Sequence, residues 1–215
     1  MDMQMGRLLS TLYQLCKWIT HFAYLNILWV VFTFVGGVVF GLFPSTVTLF
    51  TIARKNTMGE SDFPVFRTFL ETFRKEFIRA NGLGWLVLLM GVIWYFDLNF
   101  FRQFEGLFFI VMDYFMVVVG LIYLILLLYI LPVYVHYDLK LLQYIKRALT
   151  IAFLRPGNLS LMFLGTLGAY YFYINVPAVI PLFGISLLAY FHMLVAFNCF
   201  ESIQSYAQRS KLVER

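Results

Sequence analysis

Three polar side chains interrupt long apolar runs of the sequence, and they are the first candidates for chemistry. Asp113 lies in LFFIVMDYFMVVV, His192 lies in AYFHMLVAFNCF, and Asn26 lies in an apolar run near the N-terminus. An ionisable group in hydrocarbon is costly and often marks a substrate or proton pathway. Asp113 is therefore a candidate substrate- or proton-contacting carboxylate, and His192 a candidate proton relay. All three also fit interhelical hydrogen bonding, which is the commoner role of such residues.

A group of cations between the first two long apolar segments forms a second candidate site. Within GESDFPVFRTFLETFRKEFIRANG, apolar residues recur at helical spacing along residues 64–79, and the cations fall elsewhere around the helix. A basic amphipathic helix of this kind lies in the plane of the membrane interface. The candidate surface for a partner or anionic lipid consists of Arg54, Lys55, Arg67, Arg74, Lys75 and Arg79.

Signatures of catalysis and metal binding are absent from the sequence. It has no phosphate-binding loop, zinc-protease motif, nucleophile elbow or dinucleotide fingerprint. The two cysteines, Cys16 and Cys199, are far apart and form no cluster with histidine. No cationic run resembles a nucleic-acid-binding arm. We therefore predict no enzymatic activity, no cofactor, no metal site and no nucleic-acid partner.

The elements that position these residues are membrane helices. The chain is 62% hydrophobic and 13% charged, whereas soluble domains are about half apolar and about a quarter charged. Lipid is thus the solvent for most of the chain. We predict an all-α membrane protein in a single domain over residues 1–215, a bundle of about five transmembrane helices, or six, with two cytoplasmic-face amphipathic helices. The five segments are about 18–40, 82–96, 106–131, 159–174 and 178–200.

Two long linkers are predicted to lie on the cytoplasmic face, at about residues 44–79 and 132–158. The second linker carries apolar residues at helical spacing over 139–153 and is ended by Arg155-Pro156-Gly157. Each linker consists of an amphipathic helix followed by a break, at Asn81-Gly82 in the first and Pro156-Gly157-Asn158 in the second. A membrane hairpin follows each break. This shared plan is compatible with a degenerate internal repeat, although the two sequences are not similar.

The distribution of cations predicts the sidedness of the bundle. Residues 54–79 hold six Lys or Arg, residues 132–158 hold four, and the tail after residue 200 holds three, of 16 in all. Cationic loops stay on the cytoplasmic side. These three segments and the C-terminus are therefore expected to be cytoplasmic.

The stretch GLFPSTVTLFTIARK determines the side of the N-terminus. Residues 18–53 are mostly apolar and would be about 54 Å long as a helix, against a hydrocarbon core of about 30 Å. Two full spans would leave almost nothing for a turn at Gly36-Gly37. We therefore favour one span, a hinge at Gly41 and Pro44, with Pro44 in the first turn of a new helix that lies at the cytoplasmic interface or re-enters slightly, and an extracytoplasmic N-terminus. The alternative is six crossings with both termini cytoplasmic.

The same stretch opens a pattern that resembles the YesL family of bacterial membrane proteins. The matching features are Gly41–Thr46, Arg54-Lys55, Gly59-Glu60, the Phe-rich segment 66–77, Arg79–Gly84 and Tyr95–Asp97. The resemblance implies a multi-pass protein of the cell membrane without catalytic residues. Genes of this family often neighbour those of carbohydrate ABC importers, which implies an accessory role in carbohydrate uptake and ABC importer components as partners.

Two functions remain open at this point. The first is an accessory membrane protein that docks a partner or anionic lipid through its cytoplasmic-face helices. The alternative is a small transporter or channel that uses Asp113 and His192, which would need a homo-oligomer to line a pathway.

Overall fold

The protein is all-helical over the residues that the computed structural model describes, which are 2–60 and 62–213, with side chains for 10–60 and 62–203. The cations Arg7, Arg209, Lys211 and Arg215 lie outside the described side chains. The helices are α1 (Asp2–Val35), α2 (Val39–Thr57), α3 (Val65–Phe101), α4 (Leu107–His136), α5 (Leu141–Leu154), α6 (Pro156–Asn175) and α7 (Ile180–Val213), with a 3-10 turn at Pro177–Val179.

Four helical segments among the described residues are long and apolar enough to cross a membrane: Ser10–Val35, Val65–Phe101, Leu107–His136 and Pro177–Ile203. Helices α5 and α6 meet at 101° and add a fifth crossing if the bent pair counts as one span. The all-α membrane class that composition predicts is confirmed at this level, with four or five candidate spans. The separate helix predicted at 139–153 is present as α5.

The predicted hinge at Gly41 and Pro44 is wrong, because both residues lie inside α2. The chain instead reverses at residues 36–38, between α1 and α2. Gly41 still matters at this turn, since a Cβ built on it would lie 2.2 Å from the carbonyl oxygen of Thr33. It therefore lets the two helices approach closely beside the reversal.

A compact set of backbone hydrogen bonds makes the reversal. Val38 N donates to Thr33 O over 2.8 Å, and Gly37 N donates to Phe34 O over 3.0 Å, with Gly37 at φ 80°. This is a Schellman motif, which ends a helix on a left-handed residue. Val38 follows at φ 56° and ψ −70°, and Val39 N donates to Gly37 O over 2.7 Å. The bond from Val39 N to Gly37 O closes a γ-turn centred on Val38, of the rare and strained kind.

Helices α1 and α2 therefore form an antiparallel hairpin. The indole Nε1 of Trp29 donates to Thr46 Oγ1 over 3.0 Å, and farther from the turn Asn56 Nδ2 lies 2.9 Å from His21 Nε2. In each pair, the two residues lie at similar distances from the turn along the chain, on opposite sides of it. Helix α2 thus ends level with about His21 of α1.

Helix α2 is the central helix of the bundle, and it packs against α1, α3, α4 and α7. The expectation that residues 45–56 lie along the cytoplasmic interface is therefore wrong. Ser45 and Thr48 are both 0% exposed. The buried residues of α2 are Gly41, Pro44, Ser45, Val47, Thr48, Leu49, Phe50, Ile52 and Ala53.

Helix α3 is continuous through Asn81-Gly82, so the predicted break between an interfacial helix and a span is also wrong. Two residues of the Phe-rich face in its first half are buried against α1, whereas Phe66 is exposed. Phe69 is 0% exposed and Phe73 6% exposed, and their rings lie 4.8 and 5.2 Å from the ring of Phe32 in α1. The apolar period of this segment reflects helix packing.

Antiparallel pairs continue through the rest of the chain. Helices α3 and α4 are joined at one end by a bond from Tyr134 OH to Glu76 Oε2 (2.7 Å) and farther along by one from Trp94 Nε1 to Met116 O (2.8 Å). Helix α7 runs antiparallel to α6 and to α1, where Ser186 Oγ donates to Phe22 O over 3.0 Å.

These directions give the bundle two different ends. We call basic end the one that holds the start of α1, the α2–α3 and α4–α5 connections and the residues of α7 near 200. The turn end holds the α1–α2, α3–α4 and α6–α7 connections. The described start of α1 and the described end of α7 therefore lie at the same end of the bundle.

Candidate functional site

Asp113 lies near the turn end, where it closes the α3–α4 hairpin. Arg102 Nε donates to Asp113 Oδ1 over 2.9 Å, and the Asp113 side chain is 29% exposed. The carboxylate thus has a cationic partner eleven residues earlier in the chain. The role of this ion pair is therefore structural: it links the end of α3 to α4 and so stabilises the hairpin.

His192 and Asn26 join helices within the bundle. His192 is 6% exposed, and its Nε2 lies 2.9 Å from Thr166 Oγ1 in α6. Asn26 donates through Nδ2 to Pro181 O over 2.6 Å, and its Oδ1 accepts from Ile185 N over 3.3 Å. The structure does not bring Asp113, His192 and Asn26 together, because each serves a different pair of helices.

The six candidate cations divide into two groups. Lys55 forms an ion pair with Glu60 (3.7 Å), and Arg67 pairs with Glu71 one helical turn away (2.8 Å). Arg74 is exposed on α3. The other three, Arg54, Lys75 and Arg79, line one cavity at the basic end.

We call this the polar cavity. It has a volume of about 470 Å³ and lies where α2, α3, α4 and the start of α5 meet. This volume is within the usual range of small-molecule sites, about 300–1,000 Å³. Its wall consists of Val47, Thr51, Arg54, Thr72, Lys75, Glu76, Arg79, Tyr134, Val135, His136, Tyr137, Asp138 and Tyr144.

Arg79 joins α3 to the α4–α5 connection at one side of the polar cavity. Its Nη2 donates to Asp138 Oδ1 (2.6 Å), to Leu139 O (2.8 Å) and to Tyr144 OH (3.2 Å). Tyr144 OH in turn accepts from Leu139 N over 3.1 Å and donates to Tyr137 O over 3.2 Å. Arg79 thereby holds the α4–α5 connection against α3, and this guanidinium is already committed to the protein.

Both carboxylates of the cavity wall are also committed. Glu76 Oε2 accepts from Tyr134 OH, and Asp138 Oδ1 accepts from Arg79. The remaining charged groups of the wall are Arg54 and Lys75, and neither forms an ion pair with a described residue. With three cations against two carboxylates, the wall therefore has a formal excess of one positive charge.

Three buried polar atoms of the wall have no hydrogen-bond partner among the residues that the structure describes. They are Arg54 Nε, His136 Nδ1 and Tyr137 OH. Buried polar atoms are bonded in the great majority of cases, so each exception needs a reason. These three atoms belong to seven such exceptions among the described residues, and they lie together in one cavity with Lys75, which forms no ion pair with a described residue.

The position of Arg54 depends on how α2 and α3 are held together. Pro44 has no N–H to give to Phe40 O, the bond that an unbroken helix would make. Asn81 Nδ2 of α3 supplies this donor over 2.9 Å, and it also donates to Phe77 O over 2.8 Å. A helix with an internal proline thus stays straight enough to pack, because its neighbour satisfies the freed carbonyl.

Gly84 adds a steric part to the same contact. A Cβ built on Gly84 would lie 2.1 Å from the ring of Phe43. Only glycine therefore lets the Phe43 ring seat on α3 here. Two separate sequence features, GLFP and RANGLG, are thus the two sides of one helix–helix contact.

The α4 half of the cavity was not predicted from the sequence. Tyr134, His136, Tyr137 and Asp138 come from YVHYD, which follows the long apolar run of α4, and Tyr144 lies one turn into α5. The available signal was a dense polar and aromatic cluster at a span end. Its pairing with Arg54 and Arg79 is a tertiary contact, which spacing along the chain does not reveal.

No group of His, Cys, Asp and Glu side chains among the described residues could hold a metal ion. The chemistry available in the cavity is donation of hydrogen bonds to an anion.

Comparison with known proteins places this geometry in a family. The family described as "Protein of unknown function, DUF624" matches residues 22–98, which span the second half of α1, all of α2 and most of α3. That range includes the α2–α3 contact and Arg54, Lys75 and Arg79. No solved structure matches the chain significantly.

Three proteins of Bacillus subtilis (strain 168) are similar along almost the whole chain. The uncharacterized protein YteU is 33% identical over 95% of this chain and 90% of its own length. The uncharacterized proteins YesV and YesL are 34% and 33% identical, each over 91% of this chain and over 94% and 92% of their own lengths. The similarity therefore covers both halves of the polar cavity, and the chain belongs to the YesL family of membrane proteins.

Proposed function

We propose that this protein is a non-catalytic accessory protein of the cell membrane that docks a cytoplasmic partner at its basic end. The observation that carries the proposal is a set of exposed cations on α3 and at α5, at the basic end, of which Lys75 also lines the polar cavity; we call this set the basic rim. None of them forms an ion pair with a described residue. The basic rim consists of Arg74, Lys75, Lys140, Lys146 and Arg147.

The orientation that goes with this proposal has the basic end in the cytoplasm. The positive-inside rule supports it, since residues 54–79 and 132–158, which include the α2–α3 and α4–α5 connections and the helix ends beside them, hold ten of the 16 Lys and Arg. Because α1 and α7 are antiparallel, the proposal puts the start of α1 on the cytoplasmic side as well. This is the opposite of the five-span expectation for the N-terminus and agrees with the six-crossing alternative.

The kind of partner is suggested by family resemblance alone. Components of carbohydrate ABC importers are the proposed partners, and an acidic surface patch on such a component would complement the basic rim. The alternative of a transporter that uses Asp113 and His192 receives less support, because Arg102 and Thr166 engage these residues in separate helix pairs.

Copurification from native membranes tests the docking proposal. The double variant Lys146→Glu, Arg147→Glu should lower partner recovery by about tenfold, since like charges across an interface cost several kcal/mol. Lys17→Glu is the matched control, because Lys17 is also exposed at the basic end but lies on α1, away from the basic rim. Equal recovery with the double variant and with the parent, at equal membrane insertion, would refute docking at the rim.

A further inference from the structure

We propose that the polar cavity binds a phosphate group, carried either by a membrane lipid or by a small soluble phosphate ester. This binding needs no protein partner and is therefore distinct from docking on the basic rim, although Lys75 belongs to both. The steps below concern the charge of the cavity, its free donors and its position.

The charge of the cavity favours an anion. Its wall has three cations, Arg54, Lys75 and Arg79, against two carboxylates, Glu76 and Asp138. Asp138 accepts a hydrogen bond from Arg79, and Glu76 accepts one from the neutral hydroxyl of Tyr134. The wall cations that form no ion pair with a described residue, and so remain to attract a ligand, are Arg54 and Lys75.

The free donors favour an oxyanion with several acceptor atoms. Arg54 Nε is an obligate donor, Tyr137 OH can donate, and His136 Nδ1 donates in one tautomer of the ring. All three atoms are buried and without a partner among the described residues. Guanidinium groups match the oxygens of phosphate, and bonds between charged partners are about twice as strong as neutral ones.

The position of the cavity is compatible with either source of phosphate. It lies at the basic end, beside the end of the candidate span Leu107–His136. A phosphodiester headgroup at the membrane surface could enter there, and so could a soluble ester from the aqueous side. The volume of about 470 Å³ accommodates a group larger than inorganic phosphate.

Two binding arms distinguish the sources, each with the purified full-length protein. In the first arm, inorganic phosphate and glycerol 3-phosphate are titrated into protein in phosphatidylcholine nanodiscs, with calorimetry as the readout. In the second arm, retention of phosphatidylglycerol through detergent purification is measured by mass spectrometry. Saturable binding in the first arm assigns a soluble ester, and selective retention in the second assigns a lipid.

The variants test whether the bound group is in the cavity. Arg54→Gln and Lys75→Gln should each weaken binding by about tenfold or more, as expected for loss of a charged hydrogen bond. Tyr137→Phe removes one hydroxyl that bonds to no described residue, so the fold should be kept while affinity falls by about threefold. Arg67→Gln is the control outside the cavity and should leave affinity unchanged.

Two results would overturn the proposal. One is absence of binding in both arms with the parent protein. The other is binding that Lys75→Gln and Tyr137→Phe leave unchanged, which decides the matter even if Arg54→Gln fails to fold.

Discussion

The contact between Pro44 and Asn81 makes a sharp prediction about stability. Phe40 O would be an unsatisfied carbonyl without Asn81, since Pro44 has no N–H and Phe40 lies at the α2–α3 contact. Asn81 is 8% exposed, so water is a poor substitute for the amide. The prediction is that Asn81 contributes more to stability when residue 44 is proline than when it is alanine.

The magnitude follows from the two bonds involved. A carbonyl away from water and left without a donor costs about 1–3 kcal/mol, and interhelical hydrogen bonds in membrane proteins average about 0.6 kcal/mol with a maximum near 1.7. We expect Asn81→Leu to lower the free energy of unfolding by about 1–2 kcal/mol in the parent. In a Pro44→Ala background the residue-44 N–H can reach Phe40 O, and the loss should be smaller by about 1 kcal/mol.

The assay is a double-mutant cycle with four proteins: the parent, Pro44→Ala, Asn81→Leu and the double variant. Reversible unfolding by sodium dodecyl sulfate in mixed micelles, followed by tryptophan fluorescence, gives each free energy of unfolding. The cycle cancels the change in packing volume at residue 81, which is common to both backgrounds. An equal effect of Asn81→Leu in the two backgrounds would refute the account of Phe40 O.

Three further predictions concern the α1–α2 turn, the α2–α3 contact and the bonds of Arg79 to the α4–α5 connection. Val38→Gly should raise the free energy of unfolding by about 1 kcal/mol, because glycine relieves the positive φ. Gly84→Ala should lower thermal stability through its clash with Phe43, at about 1–3 kcal/mol, whereas Gly168→Ala, with open space around its Cβ, should not. Arg79→Gln should change global stability by less than about 1 kcal/mol, because the pair with Asp138 is largely exposed, yet speed hydrogen exchange over residues 138–142. Unchanged Tm in the first two variants, or unchanged exchange in the third, would contradict these accounts.

The sequence predicts the class of the fold well, because composition and apolar length are properties of single segments. It predicts the α1–α2 turn poorly. The preference of proline for a helix start favours a boundary at Pro44, but Asn81 supplies the missing donor from 37 residues away. The length of residues 18–53 argues against a turn at Gly36-Gly37, but only if that turn takes up many residues. The Schellman motif and the γ-turn together reverse the chain within three residues, 36–38.

The amphipathic pattern of residues 64–79 shows a second limit of sequence analysis. A helical apolar period indicates that one face is sheltered from water, without indicating whether lipid or protein shelters it. Here the rings of Phe69 and Phe73 pack on Phe32 of α1. The cations on the other faces were identified as candidates, and half of the six candidate cations line the polar cavity.

The candidate site also has residues that the sequence reveals and residues that only the packing reveals. Arg54, Lys75 and Arg79 stand out in the sequence because cations are few in an apolar chain. His136 and Tyr137 do not, because their significance comes from unpaired buried atoms beside Arg54, which only the packing of α4 on α2 creates.

The most direct test of the account is the side of the membrane on which each end of the bundle lies. Single cysteines in place of Gln14, Lys140 and Gln103, all exposed, would be labelled with an impermeant maleimide in right-side-out and inverted vesicles. The background carries Cys16→Ser and keeps Cys199, which is buried. The account predicts that positions 14 and 140 react only from the cytoplasmic side and position 103 only from the opposite side. Labelling of positions 14 and 140 from opposite sides would contradict it.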